Sequence, residues 1–513
     1  MKTFFVKTMK VGIFSFLLSC CLIGSAQNIP AFISDSLDSY IDKALKTWEI
    51  PGVAVCIVKD GKVVVSKGFG VCESGKKEKV DENTLFMIGS NTKAFTGTAL
   101  AWMAAEMKCY LNDKVKTWVP EFITKDPWIA ENATLTDIVC HRMGTATFQG
   151  DFTFFDSDLS STEIIAKYGK LEPVNSFRTK WGYCNTGFLL AGTALSKISG
   201  MSWEQFIRTK IFEPLEMKRS LALISEINTV KNKAAAHTIA DGKLTVIPYG
   251  HFDALAPAAS ICSSVEDMSH WLLALLDSGK YNNKSVIPYA AILETREPES
   301  IIGNARHTYN KSNYSLYGMG WELQDYESHG LVMHTGGVDG FVTSVTLVPD
   351  ENLGIVVLTN TDQNYFYEAL KWEILDAYLD LPYRNYSKIY NTYFKRRAAR
   401  DMKEIQSWRD SVALKPALPL PVSAFKGIYE NEVYGTITVS TDGNALKMEF
   451  EHHKDLSAKL EYIGNNRFLC TYSQPLFGIK VFPFVIDQGK VRSFTLSVAD
   501  FLEYTTYSFT KKK

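Results

Sequence analysis

Ser90-Asn91-Thr92-Lys93 places a hydroxyl and an amine three residues apart, on one face if the segment is helical. A serine hydroxyl is a poor nucleophile at neutral pH and needs a base. Lysine can be that base only while its amine is neutral, and burial disfavours the charged form. The residues after Lys93, Ala94 to Ala104, are small and apolar and suit a buried helix. At the start of such a helix Ser90 also gains a backbone N–H without an intrahelical acceptor, near the positive dipole end, where an oxyanion would be stabilised. The spacing alone is weak evidence. Ser74-Gly75-Lys76-Lys77 repeats it in a polar, turn-like stretch and reads as a solvated loop.

Two further groups carry chemistry. Tyr183-Cys184-Asn185 lies within Trp181 to Phe188, ahead of an amphipathic run. A tyrosine relays protons if cations lower its pKa, and an asparagine amide can hold a substrate carbonyl. Tyr281-Asn282-Asn283, Tyr383-Arg384-Asn385 and Tyr429-Glu430-Asn431 share the pattern, but a glycine-containing loop and an amphipathic helix follow Tyr183 alone. The third group is His334-Thr335-Gly336-Gly337, between Gly330-Leu331-Val332-Met333 and Gly340 to Ser344. Glycines there let a substrate lie against the strand edge and pair with its backbone. The Gly337 N–H is a candidate second oxyanion donor. His334 is a candidate for fixing substrate charge or assisting proton transfer, set against the plainer reading of a packed strand histidine.

The elements that must hold these groups are legible in outline. Ile33 to Trp48 has helical apolar spacing, and Val53 to Val58, Asp60-Gly61 and Val63 to Phe69 read as a β-hairpin. Residues 90 to 280 are mainly helical in pattern, with helices expected over Thr186 to Ser199, Ser202 to Ile211 and Ser264 to Leu276. Strands resume from Tyr317, with Phe341 to Val348 and Gly354 to Leu358 flanking a turn and a helix over Tyr365 to Tyr378. The domain reading is a split α/β unit over 30–385, then a helical segment and Pro-rich linker over 386–422. Residues 423–513 follow, with short alternating runs up to Glu503 to Phe509 that suggest a small antiparallel β domain.

Bulk properties exclude several classes. Lys plus Arg number 55 and Asp plus Glu 56 in 513 residues, which leaves no basic footprint for nucleic acid. Nine cysteines occur, but no CxxC, Cys/His metal spacing or HExxH is present, so neither metal nor cofactor is expected. Seven of them lie beyond the leader and read as small buried hydrophobes, with room for a disulfide or two. Lys2, Lys7 and Lys10, the apolar run Val11 to Ile23 and Gly24-Ser25-Ala26 read as a secretory signal peptide over 1–26. The rival is a lipoprotein box, Leu17-Leu18-Ser19-Cys20, which would leave a lipidated Cys20. The expected location is periplasmic or secreted, and no other segment is long and apolar enough to span a bilayer.

Together, Ser90-x-x-Lys93, Tyr183-x-Asn185 and His334-Thr335-Gly336 resemble the motifs of the penicillin-recognising serine hydrolases. The nearest branch holds class C β-lactamases, D-alanyl-D-alanine carboxypeptidases, D-aminopeptidases and related esterases. Leu135 to Gly144, Asn185 to Leu190, Ile211 to Met217 and Ser263 to Met268 are similar to framing segments of that family. The resemblance spans roughly residues 35 to 380, and 423–513 resembles the small β domain often appended to it. It implies an α+β fold of the β-lactamase/transpeptidase type: an antiparallel sheet flanked by helices with an all-helical subdomain, followed by a barrel-like β domain. It implies Ser90 as acylated nucleophile, Lys93 as its base and Tyr183 as the proton handler. Asn185 would touch the acyl side chain, and His334, Thr335 and Gly336 would line the substrate strand, with Gly337 beside them.

Departures from the family pattern narrow the expectation. Class C β-lactamases usually carry lysine where His334 stands; histidine there is the habit of esterase and peptidase-like members. Glu216 replaces a usual glycine, which implies a local backbone change, and Cys184 a commoner serine. Nothing resembles the class A deacylating glutamate. The favoured activity is hydrolysis of an ester, amide or D-amino-acid peptide through an acyl-enzyme, the substrate being a small molecule or a peptide such as a cell-wall fragment. Acyl transfer to an alcohol or amine, and non-catalytic binding of penicillin or wall fragments, remain as alternatives. Specificity is expected in the loops Gly144 to Asp158 and Pro298 to Leu316.

Overall fold

The computed structural model describes residues 29–443 and 445–513. The leader over 1–26, with Cys20, lies outside the described residues. Helix α1 (Leu37–Trp48) leads into β1 (Gly52–Lys59) and β2 (Lys62–Gly70). Asp60 and Gly61 both take positive φ, 52° and 72°, as a tight hairpin turn of right-handed twist requires. The helical region includes α2 (Thr92–Ala105), α3 (Asn185–Ser199) and α4 (Val265–Leu276). Gly200 ends α3 in the left-handed conformation, and the Ser264 hydroxyl caps α4 by accepting from Asp267 N–H.

Strands β3 (Ser300–Gly303), β4 (Ser315–Tyr317), β5 (Glu322–Tyr326), β6 (His329–Val338), β7 (Phe341–Val348) and β8 (Leu353–Thr359) follow. One eight-stranded sheet results, in the order β2-β1-β8-β7-β6-β5-β4-β3, antiparallel throughout. The strands of this sheet therefore resume at Ser300, earlier than the expected Tyr317. Edge strand β3 and its neighbour β4, four and three residues long, are too short to display alternation in the sequence. In β1 the period of two separates the faces. Ala54, Cys56 and Val58 face the core of the helical region, while Val53, Val55 and Ile57 join the core under α1 and α5 (Phe366–Tyr378). An antiparallel sheet between helices, with a separate helical region, is the arrangement expected from the sequence.

Helix α6 (Tyr386–Ala413) is 28 residues long and reaches from α5 to the C-terminal strands. Those strands are β9 (Gly427–Asn431), β10 (Gly435–Asp442), β11 (Ala445–Phe450), β12 (His453–Gly464), β13 (Arg467–Tyr472), β14 (Ile479–Asp487), β15 (Lys490–Leu496) and β16 (Tyr507–Lys511). Each pairs with the next, and β9 closes on β16 to complete a barrel. The run Glu503 to Phe509 is not one strand, as the alternation suggests. β16 starts at Tyr507, and Glu503 turns inward with 1% exposure.

All seven cysteines of the described residues are free and buried, in keeping with small hydrophobes. Glu216 takes a left-handed backbone at φ 56°, a conformation that glycine adopts without steric cost. Among the described residues no helix is long and apolar enough to cross a membrane.

The barrel is fastened to the first domain by aromatic packing. Phe152, fully buried, stacks on Tyr434 with ring centroids 4.9 Å apart and on His453 at 5.6 Å, and Phe450, Phe477 and Tyr507 complete its surroundings. The Phe155 carbonyl meets His453 Nε2 at 3.0 Å. Truncating Phe152 leaves a cavity between the domains. Phe152→Ala is expected to cost about 3–5 kcal/mol in denaturant unfolding and to expose the 414–421 segment to limited proteolysis. Unchanged unfolding would show that the contact does not hold the domains together.

Candidate active site

The structure brings seven of the eight expected site residues, all but Lys93, onto one cleft of about 1010 Å³. Lys93 lies just beneath its floor. Gly89-Ser90-Asn91 forms a single 3-10 turn that runs into α2. Gly89 adopts φ 55°, and a Cβ there would stand 3.0 Å from Gly337 N, so glycine is needed where the turn meets β6. Gly336 is under the same constraint: a Cβ would meet the Ile88 carbonyl oxygen at 1.9 Å. Asn91 Nδ2 donates to Ile88 O at 3.1 Å and to Thr343 Oγ1 at 2.8 Å, which ties the turn to β7.

Lys93 has no exposed surface. Its Nζ lies 2.7 Å from Asn185 Oδ1, 2.9 Å from the Ala258 carbonyl oxygen and 3.0 Å from Ser90 Oγ. Burial pulls its pKa down to about 7, opposed by the charges of Asp151 and Cys184. A neutral amine has two N–H bonds and one lone pair. With two carbonyl oxygens receiving the N–H bonds, the lone pair is left for the Ser90 hydroxyl. The decoy pair differs on every count: Ser74 and Lys77 are exposed in a loop.

Tyr183 stands beside this pair, its ring centroid 4.7 Å from Lys93 Nζ and its phenol in hydrogen-bonding contact with Ser90. The condition of a pKa lowered by cations is not met at Tyr183. Burial dominates and holds the phenol well above its ordinary value, so Tyr183 is a neutral O–H. Its backbone is fixed by the facing loop: Phe148 N–H donates to Tyr183 O at 2.9 Å, and Tyr183 N–H to Thr147 Oγ1 at 3.2 Å.

His334 also departs from one expectation. Its Nδ1–H donates to the Thr335 carbonyl at 2.6 Å, which leaves Nε2 to accept from the Tyr317 hydroxyl at 2.8 Å. Burial and the Lys93 charge pull its pKa down to about 3. At 2% exposure it is a neutral ring with both nitrogens engaged and has no charge to offer a substrate. Thr335, half-buried, and the exposed Gly337 present the strand edge to the cleft, with Gly336 buried between them. Asn185 lies at the cleft edge with both ends of its amide occupied, Oδ1 by Lys93 and Nδ2 by Asp151 Oδ2 at 2.7 Å.

Several residues were not singled out from the sequence. Asp151 is 4% exposed and carries no local motif. His141 lies in a family-like segment, but its task shows only in three dimensions. His141 Nδ1 accepts from Cys184 N–H at 3.0 Å, and its ring packs on Tyr183 at 4.4 Å, fixing the backbone between Tyr183 and Asn185. The cleft walls are also unexpected. Thr147, Phe148, Asp151 and Phe155 fall within the expected loop, but Pro298 to Leu316 lines a separate hollow around Ile302 to His307. The opposite walls come from α6, with Phe394 and Trp408, and from the barrel turn 499–502 with Tyr504. Among the described residues no group of His, Cys, Asp and Glu has the arrangement of a metal site.

A family model described as Beta-lactamase matches residues 37–379, and one described as a domain of unknown function, DUF3471, matches residues 413–511. Unguisins hydrolase ungD' of Aspergillus campestris is 27% identical over 425 residues, covering 78% of this chain and 77% of that protein. Protein flp of Staphylococcus aureus is 29% identical over 334 residues, covering 64% of this chain and 63% of its own length, just under two thirds. The octameric penicillin-binding protein homologue from Pyrococcus abyssi aligns over 93% of this chain and 99% of that one with a TM-score of 0.59 at 21% identity, a likeness of fold.

The glycine contact gives a direct test of the cleft geometry. Gly336→Ala forces β6 away from the Ser90 turn and is expected to cost about 1–3 kcal/mol in thermal unfolding. A crystal structure of the variant should show the strand displaced from Ile88. An unmoved strand would refute the close approach.

Proposed function

The chain belongs to the β-lactamase family, and from that premise we propose that it is a serine hydrolase acting through an acyl-enzyme on ester, amide or D-amino-acid peptide substrates. The observation that carries this is the setting of Lys93: fully buried, with two carbonyl acceptors and the Ser90 hydroxyl around one amine. In this reading Lys93 takes the Ser90 proton as Oγ attacks the substrate carbonyl. The Ser90 and Gly337 N–H groups receive the developing oxyanion. The Tyr183 phenol passes a proton to the leaving group and is restored through Lys93. Water then attacks the acyl-serine and regenerates Ser90. Thr335 and Gly337 offer backbone to an extended substrate along the edge of β6.

The neutral His334 bears on substrate choice. A carboxylate beside β6 would find no cation at that position, so efficient β-lactam turnover is not part of the proposal. The aromatic walls formed by Phe148, Trp181, Phe394, Trp408, Phe501 and Tyr504 suit an apolar or aromatic portion of an ester or peptide. The similarity to a hydrolase of unguisins supports hydrolysis as the outcome. The size of the cleft favours acyl transfer as a second reading, since it leaves room for an alcohol or amine acceptor beside the acyl group. Export through the 1–26 leader belongs to the same proposal.

Two measurements test it. Ser90→Ala should abolish fluorophosphonate labelling and lower p-nitrophenyl ester hydrolysis by about 10³-fold or more, and Lys93→Ala should lose nearly as much because the two act as a unit. Labelling that persists in Ser90→Ala would remove the nucleophile assignment. For pH, activity requires the neutral amine, so kcat/KM should be low below pH 7 and rise as pH passes through about 7, where Lys93 gives up its proton. Product analysis by mass, with and without added alcohols or amines, separates hydrolysis from transfer: no acceptor-dependent product rules out the second reading.

A further inference from the structure

The barrel reaches the Ser90 site through one turn of the first domain. Gly150 N–H donates to Glu503 Oε1 at 3.1 Å, and Phe152 N–H donates to Glu503 Oε2 at 2.8 Å. The Tyr507 hydroxyl donates to Glu503 Oε1 at 2.7 Å, and the Thr505 hydroxyl donates to the same oxygen. Every one of these partners is a neutral donor, and Glu503 is 1% exposed. Asp151 stands between the two clamped N–H groups. Its side chain accepts from Asn185 Nδ2 at 2.7 Å, while Asn185 Oδ1 faces Lys93 Nζ at 2.7 Å.

We propose that Glu503 of the barrel is a positioning residue for Lys93: by clamping the turn on both sides of Asp151 it fixes the carboxyl group that orients the Asn185 amide against the Lys93 amine. The inference rests on the reading of Ser90 and Lys93 as nucleophile and base. An amide has one acceptor end and one donor end. Asn185 turns its oxygen to Lys93 only if its NH₂ finds an acceptor elsewhere, and Asp151 is that acceptor. If Asp151 moved, the amide would be free to flip and present N–H to the amine.

The clamp also bears on charge. Asp151 is faced by Lys93 from α2, by Cys184 and Asn185 at the start of α3, by Tyr183, and by Glu503 and Tyr507 from the barrel. Lys93 is faced in turn by Ser90, Tyr183, Cys184, Asn185 and Asp151, and the neutral rings of His141 and His334 sense its charge. Burial, then the Glu503 charge, hold the Asp151 carboxyl well above the usual carboxylate range. Burial raises the Glu503 carboxyl too, against the donors from Thr505, Phe152, Tyr507 and Gly150. An Asp151 anion would favour the Lys93 ammonium, so the ionised form of Glu503 suppresses a competitor to the neutral amine. Removing that charge lets Asp151 ionise at lower pH, and Lys93 then loses its proton only at higher pH. A clamp that merely stabilised the fold would lower activity equally at every pH.

The full chain tests this with kcat/KM–pH profiles on a p-nitrophenyl ester for the wild type, Glu503→Gln, Tyr507→Phe, Asp151→Asn and the double variant Asp151→Asn/Glu503→Gln. Glu503→Gln is expected to move the acid limb up by about half a pH unit or more. Tyr507→Phe withdraws a donor from the Glu503 carboxylate, makes its charge less favourable, and should move the limb the same way by less. In the Asp151→Asn background Glu503→Gln should produce no further shift, since the intermediary no longer titrates. An unmoved acid limb in Glu503→Gln, or a shift that persists in the double variant, overturns the proposal. If Glu503→Gln does not fold, an unmoved limb in Tyr507→Phe does so. Fluorophosphonate labelling that is lost in Ser90→Ala monitors the underlying reading separately: its absence in the wild type would mean that the nucleophile assignment, not the clamp, is at fault.

Discussion

An amine with no solvent around it must be either paired with an anion or uncharged, and the Lys93 surroundings shift the balance towards the second. The atoms nearest its nitrogen are two neutral carbonyl oxygens and a hydroxyl, and the nearby carboxyl of Asp151 is pushed towards its own neutral form. Much of the first domain serves this arrangement. α2 is buried from Thr92 to Met103, so the amine cannot reach water by swinging outward. The Pro257–Ala259 segment supplies one carbonyl, and α3 begins at Asn185 so that its first side chain supplies the other.

A low-dielectric site is costly for every polar group within it, and the neighbours of Lys93 are neutral for the same reason. His141 and His334 are pulled below their ordinary range and Tyr183 and Tyr317 are raised above theirs, each chiefly by burial. The result is a floor of neutral donors and acceptors in fixed directions, with the hydroxyl of Ser90 at its surface. Preorganisation of this kind needs rigid support. The Gly89 and Gly336 contacts supply it by letting the Ser90 turn and β6 approach closer than any side chain would allow.

The barrel is continuous with that support rather than an appendage on a linker. Phe152 sits in its aromatic pocket, Glu503 holds the adjoining turn, and Phe501 lies against Gly337, where a Cβ would meet its ring at 3.3 Å. α6 forms the remaining wall, so the cleft is bounded by both domains and by the helix that joins them.

Local sequence was sufficient for the repeating parts and for the short-range chemistry. The i to i+3 spacing of Ser90 and Lys93, the Asp60-Gly61 turn, the Gly200 stop and the Ser264 cap each depend on neighbours within a few residues, and each is legible for that reason. The three motifs in order were enough to point to the fold. What depends on residues far apart in the chain was not legible. Whether His334 is charged, whether Tyr183 has a lowered or a raised pKa, and which face of Asn185 meets Lys93 are fixed by burial and by partners on other elements, such as Lys93 and Asp151, which lie 92 and 34 residues from Asn185. Asp151 and Glu503 are two unremarkable acidic residues in the sequence, and alternation even drew Glu503 into a strand. Only the docking of the barrel on the 150–152 turn brings Glu503 to the backbone on either side of Asp151, because desolvation and hydrogen-bond direction are properties of the assembled site and not of the chain.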